Sequence, residues 1–299
     1  MNSKLKTLIV IAGPTASGKT AVGIQLARQL STEIISADSR QFYQEMSIGT
    51  AKPTIDELAQ AKHHFINSHS ITDSFNVGDF EQQGLALLNE LFKTHDVVVM
   101  AGGSGLYIKA ICEGFDQLPD VDLVIREQLN NKYAEKGISY LQEKLKLTDP
   151  EYYQQVDINN PQRLIRALEV FESSGQPFSS FRKKDLQQRP FNIIKIGLLH
   201  PREKLYERIN LRVDQMVADG LVDEVKSLQT YRHLNALQTV GYTEIFDYLD
   251  GKTDLLTAIG LIKQNTRRFA KRQMTWFNKD KEIKWMAPEK VLDFIIQEY

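Results

Sequence analysis

Cysteine is almost absent: Cys112 is the one example in 299 residues. A single thiol excludes an internal disulfide and any cysteine-based zinc cluster, and it favours a reducing, cytoplasmic setting. Long apolar runs are missing too. The opening Met1 to Thr7 leads into only five apolar residues before Gly13, too short for a signal-peptide core or a membrane span. There is no internal repeat and no low-complexity tract. His63, His64 and His69 fit no standard metal spacing, so a structural zinc is rejected. Net charge is nearly nil, with 37 Lys plus Arg against 38 Asp plus Glu. That sum argues against nucleic acid, but only the distribution of charge decides. With 42% hydrophobic and 25% charged residues, the chain has the balance of a globular protein of one large or two moderate domains. Global disorder, collagen-like repeats and coiled-coil rods are excluded.

What is present alternates between strand and helix. Leu8 to Ala12 is continuously apolar, as expected of a strand buried on both faces of a parallel sheet. Thr20 to Leu30 follows as a helix. Glu33 to Ala37, Val97 to Ala101 and Ile193 to Leu199 read as further strands. The pattern predicts an α/β fold, a phosphate-loop, nucleotide-hydrolase-like parallel sheet flanked by helices. About eighty residues between the helix after Gly105 and the strand at Ile193 carry no clear strand, far more than a βα crossover needs. They read as an inserted all-helical subdomain, residues 116–190, between core segments 1–115 and 191–299. Within it Asp122 to Lys136, Ser139 to Lys146 and Pro161 to Ser174 read as helices, the last capped by Asn160. Beyond Leu199 helices are expected over Arg202 to Asp219, Leu221 to Leu228, Tyr242 to Leu249 and Thr253 to Phe277.

The strongest motif is the phosphate loop, Gly13, Pro14, Thr15, Ala16, Ser17, Gly18, Lys19 and Thr20, lying between strand and helix as its mechanism requires. Backbone amides curl around a phosphate, Lys19 adds a point charge, and the Thr20 hydroxyl can hold Mg²⁺. The strand Val97 to Ala101 then ends in Gly102, Gly103 and Ser104 where a nucleotide hydrolase needs an acidic residue. ATPase and GTPase readings weaken, whereas a loop that holds diphosphate as a leaving group stays open. Asp38 follows the second strand directly, so it is either a proton acceptor near the loop or a helix cap. Arg163 and Arg166 sit at a helix start, where cations oppose the dipole, and read as an anion site or a solvated face. Arg208 and Arg212 could clamp a diphosphate or pair with Glu207 and Asp214. From Lys263 to Lys284 there are eight basic and two acidic residues. Arg267, Arg268, Lys271 and Arg272 form a stripe interleaved with Phe269, Trp276 and Phe277, which is either an RNA-backbone footprint or a solvated basic face.

Several of these segments, taken in order, resemble the tRNA dimethylallyltransferase (tRNA isopentenyltransferase) family: the phosphate loop, Asp38 to Tyr43, Ile48 to Pro53, Gly102 to Tyr107, Asn160 to Ala167, Met216 with Gly220-Leu221 and Glu224-Val225, Gln238 to Tyr242, and the basic helix from Gln264. The resemblance implies transfer of a dimethylallyl group from dimethylallyl diphosphate to N6 of the adenine 3′ of the anticodon in tRNA, with Mg²⁺ as cofactor. It implies that Asp38 accepts the N6 proton, that Thr15 and Ser17 to Thr20 bind the diphosphate, and that Arg212 neutralises it, with Arg208 a close competitor. Asp38, Ser39, Arg40 and Gln41, Ser104, Arg126, and Gln162, Arg163, Leu164, Ile165 and Arg166 match positions of tRNA contact. Arg267 and Arg268 join them from the basic stripe. Eukaryotic relatives often carry a C-terminal zinc finger, which one cysteine cannot build, so the bacterial type is expected. No membrane and no obligate protein partner are implied, and a monomer is expected.

The chemistry is coherent. The N6 lone pair is delocalised into the ring, so stabilising the leaving diphosphate is the main catalytic need, and the adenine must leave its stack to reach a buried site. Three other readings stay open on the residues: a small-molecule kinase, an isopentenyltransferase acting on free AMP, ADP or ATP, and a non-catalytic RNA-binding protein on a phosphate-loop fold.

Overall fold

A computed structural model describes residues 5–116, 118–182 and 187–298. Residues 1–4 of the opening segment and 183–186 of the inserted stretch lie outside it. The chain forms two compact units, Met1–Glu113 with Gln188–Tyr299, and Gly114–Gln187. The breaks fall two and three residues before those read from the sequence.

The first unit is built on a six-stranded parallel sheet of β1 (Thr7–Ala12), β2 (Ile34–Ser36), β3 (His63–His64), β4 (Val97–Gly102), β5 (Asn192–Leu198) and β6 (Lys284–Met286), in the order β3-β2-β4-β1-β5-β6. Its helices are α1 (Lys19–Gln29), α2 (Ile55–Gln60), α3 (Val77–Thr94) and α4 (Gly105–Glu113). The second unit holds α5 (Leu123–Lys136), α6 (Ile138–Thr148), α7 (Pro150–Gln155), α8 (Pro161–Ser174) and α9 (Phe178–Phe181). The chain then returns to the first unit with α10 (Arg202–Ala218), α11 (Leu221–Ser227), α12 (Tyr242–Leu249), α13 (Leu255–Phe277) and α14 (Val291–Glu298).

Every residue of β1 is buried, and the alternation of its side chains explains why. Leu8, Val10 and Ala12 pack with Phe80 and Leu88 of α3 and Ile108 and Ile111 of α4. Ile9 and Ile11 face the other way, onto Val22 and Leu26 of α1 and Ile295 of α14. Helices cover both faces, so the strand can be apolar throughout. Strands β3 and β6 escape the sequence reading because two and three residues carry no usable period. Register then sets the site. Ala12 pairs with Gly102, and Ser36 with Ala101, so three strands end together and their following loops emerge side by side at the carboxyl edge.

No strand occurs among the described residues of the second unit. Its core is Leu129, Leu141, Leu145, Tyr152, Leu164, Ile165 and Leu168. Asn160 caps α8 through the Arg163 amide, as the sequence predicts. Leu164 and Ile165 are 0% and 7% exposed, so their side chains serve the core of this unit. Their spacing on α8 puts both side chains on the core face. Arg126 and Arg166 are half-exposed, and both pair with buried Glu169, at 2.6 Å each.

A lysine is buried in the sheet itself. Lys195 of β5 is 6% exposed and pairs with Glu113 (3.0 Å), Asp280 (2.8 Å) and Glu282 (2.9 Å). Burial alone would lower its pKa, but hydrogen bonds to Asp280, Glu282 and Glu113 together hold it above the ordinary lysine range. Replacing it orphans three carboxylates that are themselves partly solvated. Lys195→Met is therefore expected to cost about 3 kcal/mol, the low end for breaking a buried ion pair. Urea unfolding at neutral pH measures it, and a loss under about 0.5 kcal/mol, the level of an ordinary surface substitution, would show the cluster to be dispensable.

Candidate active site

The phosphate loop leaves β1 and curls into α1 through conformations few residues adopt. Gly18, immediately before α1, has φ +91°, which costs glycine little. Ala16 at φ +62° pays for the left-handed region. Four contacts hold the peptide groups of the loop. Lys19 Nζ donates to the Pro14 carbonyl at 2.7 Å. The Thr15 amide donates to Gln273 Oε1 at 2.8 Å. Arg208 Nε donates to the Ala16 carbonyl at 2.7 Å. His200 Nε2 lies 2.8 Å from the Ser17 carbonyl, and because a carbonyl only accepts, that nitrogen carries the proton. The Ser17 hydroxyl is fully buried with no hydrogen-bond partner among the described residues. Such an orphan costs about 1–3 kcal/mol and belongs to a loop shaped for more than its own satisfaction.

The loop lines a cavity of about 530 Å³, within the range of small-molecule sites. Lys19, Thr20, Asp38, Ser104, Arg212 and Gln273 all border it. The glycines at the end of β4, Gly102 and Gly103, permit the close packing. A Cβ on Gly102 would lie 2.1 Å from the Ala37 carbonyl oxygen, and one on Gly103 would lie 2.5 Å from Gln273 Nε2. The Ser39 amide donates to Ser104 Oγ at 2.9 Å, and Asp38 Oδ1 accepts from the Arg40 amide at 3.0 Å. Asp38 thus closes a turn with one oxygen while bordering the cavity; the helix-cap reading fails, because the next helix begins only at Ile55 and is capped by Thr54. Gln41 spends its carboxamide internally, donating to the Thr50 and Ala51 carbonyls (3.2 and 3.1 Å) and accepting from Ser36 Oγ (3.3 Å).

Charge in the cavity is finely set. Burial pushes the Lys19 ammonium down to about 8; Asp38 opposes this and Arg212 adds to it. Burial, then its neighbour Arg208, also lowers Arg212. No described residue forms a hydrogen bond or ion pair with the Arg212 guanidinium, whereas Arg208, which also borders the cavity, gives its Nε to the loop. Neither arginine pairs with Glu207 or Asp214 among the described residues; Asp214 pairs with Lys263 instead.

Helix α13 divides by face. Arg268, Lys271 and Arg272 are exposed, and Phe269 and Trp276 are each 40% exposed. Phe277 is buried at 3%, so it leaves the expected aromatic face. Arg267 is partly buried, bonded to Asn210 Oδ1 at 2.6 Å and seated over the Tyr206 ring. The expected stripe of four cations is therefore one of three. Gln273 and His200 escaped the sequence reading. Gln273 had a signal: it occupies a buried-face position between Ala270 and Phe277, where the helix pattern calls for an apolar residue. His200 had none.

Among the described residues no group of three His, Cys, Asp or Glu is gathered to hold a metal, and no helix is long and apolar enough to cross a membrane. The donor set at the loop, one hydroxyl from Thr20 beside a phosphate cradle, fits a cation whose other ligands are phosphate oxygens and water.

Three comparisons bear on this geometry. The IPP transferase family model matches residues 41–280. The chain is 59% identical to a tRNA dimethylallyltransferase of Christiangramia forsetii, over 93% of this chain and 92% of that protein. It is 48% identical to tRNA dimethylallyltransferase 1 of Bacteroides thetaiotaomicron, over 97% and 94%. Among solved structures, the tRNA isopentenylpyrophosphate transferase of Bacillus halodurans matches with a TM-score of 0.71 and 38% identity, covering 98% of this chain and 94% of that one. A parallel sheet carrying a phosphate loop without an acidic partner strand, and a family match across most of the chain, lead to one statement: the chain belongs to the IPP transferase family.

Proposed function

We propose that the protein transfers the dimethylallyl group of dimethylallyl diphosphate to N6 of the adenine 3′ of the anticodon in tRNA, releasing diphosphate. One observation carries the reading. A phosphate cradle, an arginine without a protein partner and the half-buried carboxylate of Asp38 border one cavity, and the α13 residues Phe269 and Gln273 border it too. The relatives' names agree with it, whereas neither a kinase nor a free-nucleotide prenyltransferase draws support from them. The setting is cytoplasmic and the protein acts alone.

The N6 nitrogen attacks the allylic carbon bonded to oxygen, a C–N bond forms, and the C–O bond breaks with its electron pair leaving on diphosphate. Lys19, Arg212 and the amides of Thr15 to Thr20 hold the departing charge, which grows in the transition state. Arg212 has the larger share of this, because Arg208 gives one of its donors to Ala16. Asp38 takes the N6 proton, completing the balance. The Thr20 hydroxyl would hold Mg²⁺, which would supply further neutralisation of the leaving group. Gln162, Arg163, Arg166 and Arg126 serve the RNA from the second unit, and Ser39, Arg40 and Ser104 from the first.

Incubation with dimethylallyl diphosphate, Mg²⁺ and unmodified tRNA, read by nucleoside mass, tests the reading. A five-carbon gain on adenosine is expected, and phosphate transfer from ATP to a metabolite instead would hand the case to a kinase. Asp38→Asn is expected to lower kcat by about 10²–10⁴-fold, the range of general-base removal, with tRNA affinity little changed; near wild-type turnover would end the proton-acceptor role. Above pH 8 Lys19 loses its charge, so affinity for inorganic diphosphate should fall there by up to about tenfold per pH unit, the limit for one proton. Calorimetry across pH measures this. Lys19→Arg, which stays charged, controls for titration of the ligand and should lack the step. Arg268→Gln and Arg272→Gln should each reduce the slope of log K against log salt by about 0.7–0.9. Arg267→Gln should leave it unchanged, and a slope that follows Arg267 instead would move the RNA face.

A further inference from the structure

Glu224 lies on α11 and does not border the cavity, yet it has more hydrogen-bond donors than any residue that does. One oxygen accepts from the Ser47 amide at 2.9 Å and the Ile48 amide at 2.7 Å. The other accepts from the Gly49 amide at 2.9 Å and the Tyr242 hydroxyl at 2.7 Å. Four donors fill the lone-pair sites of one carboxylate. Three successive amides converging on one anion form a nest, and here the protein fills its own nest. Tyr242 is fully buried and pressed against the loop, since a Cβ on Gly49 would sit 2.5 Å from its ring. Burial first, and then Glu224, raise the phenol far above its ordinary range, so it stays a donor at all working pH values.

The clipped loop does not end there. Thr50 and Ala51 follow, and their carbonyls receive the Gln41 amide. Gln41 in turn accepts from Ser36, the last residue of β2. Two residues further on stands Asp38. Gly49 to Thr54 and Asp38 to Gln41 are both walls of the cavity. A covalently continuous and hydrogen-bonded path thus runs from Glu224, through amides 47–49 and carbonyls 50–51, to the turn that carries the proton acceptor.

We infer that Glu224 is a positioning residue: its carboxylate, with Tyr242, clamps the loop Ser47–Gly49 and through Gln41 fixes the Asp38 turn against the cavity. Glu224 touches no substrate. Its effect on turnover rests on the prenyl-transfer reading, whereas its effect on the loop does not. A carboxylate is required because an amide in its place offers one accepting oxygen to four donors.

Two measurements on the full-length protein test this, using Glu224→Gln, Tyr242→Phe, Gln41→Ala and the double variant Glu224→Gln/Gln41→Ala. In hydrogen exchange, Glu224→Gln should speed exchange in both 47–51 and 38–41 while leaving the phosphate loop 13–20 unchanged. In prenyl transfer, Glu224→Gln should lower kcat by about 10–100-fold, the scale of a misplaced catalytic group, with KM for dimethylallyl diphosphate unmoved. Tyr242→Phe, which removes one donor of four and serves if Glu224→Gln does not fold, should fall between it and wild type. Because Glu224 and Gln41 act along one path, the double variant should lose less than the product of the single losses. Faster exchange confined to 47–51, multiplicative losses, or equal changes in kcat and KM would each overturn the inference. A wild-type protein inactive toward tRNA would defeat the functional reading alone, since the exchange result still judges the clamp.

Discussion

The site depends on a phosphate loop that does not hold itself. Its carbonyls and amides between Pro14 and Ser17 are engaged by Lys19, Gln273, Arg208 and His200, three of which come from beyond residue 199. An isolated strand–loop–helix would have no reason to keep Ala16 in a left-handed conformation. The strain is met by helices that fold against the loop from the far end of the chain. The shape of the loop is therefore a property of the whole first unit, and on the proposed reading its amides are aimed before a diphosphate arrives, which is what would make them useful to a developing negative charge.

The same bracing decides which charges are available. A guanidinium bonded to the loop has spent part of its donor set, whereas one with no protein partner retains all five. Arg208 and Arg212 are one turn apart and chemically identical, and only the Ala16 carbonyl separates their roles. Sequence spacing could not distinguish them. Lys19 illustrates the cost of such preparation. Gathering it with Arg212 in a desolvated cavity depresses its affinity for a proton, so the loop stores electrostatic tension that an incoming anion relieves.

Much of this was legible in the residues, and what was not has a physical pattern. The apolar run of β1, the loop after it and the absence of an acid after β4 are local features, and local features survive reading. The position of Asp38 followed from topology, because parallel strands in register bring their carboxyl ends together. Short edge strands β3 and β6 were lost because pairing, not propensity, makes them strands. The α8 and α13 motifs were read as blocks of type, and helical geometry divided them. Leu164 and Ile165 went to the core, Phe277 went inward, and Arg267 turned to Asn210. The backbone contacts of His200 and Glu224 were beyond reach because the groups they bond lie about 180 residues away along the chain.

The near-zero net charge belongs to the same logic. A few acidic residues serve as acceptors for several donors at once. Glu224 takes four donors. Glu244, 6% exposed, takes the Gly241 amide, the Thr243 hydroxyl and the Asn265 amide. Glu169, fully buried, takes two arginines. Each carboxylate is stabilised by donors that are already fixed, so it sets a loop or a helix rather than a surface potential. Cations such as Arg268, Lys271 and Arg272 remain exposed on one helix face, where the field reaches solvent. A balanced sum therefore conceals an uneven distribution: some carboxylates brace loops and helices, while the exposed cations of α13 lie together on one face, where a polyanion can meet them and, in physiological salt, part from them.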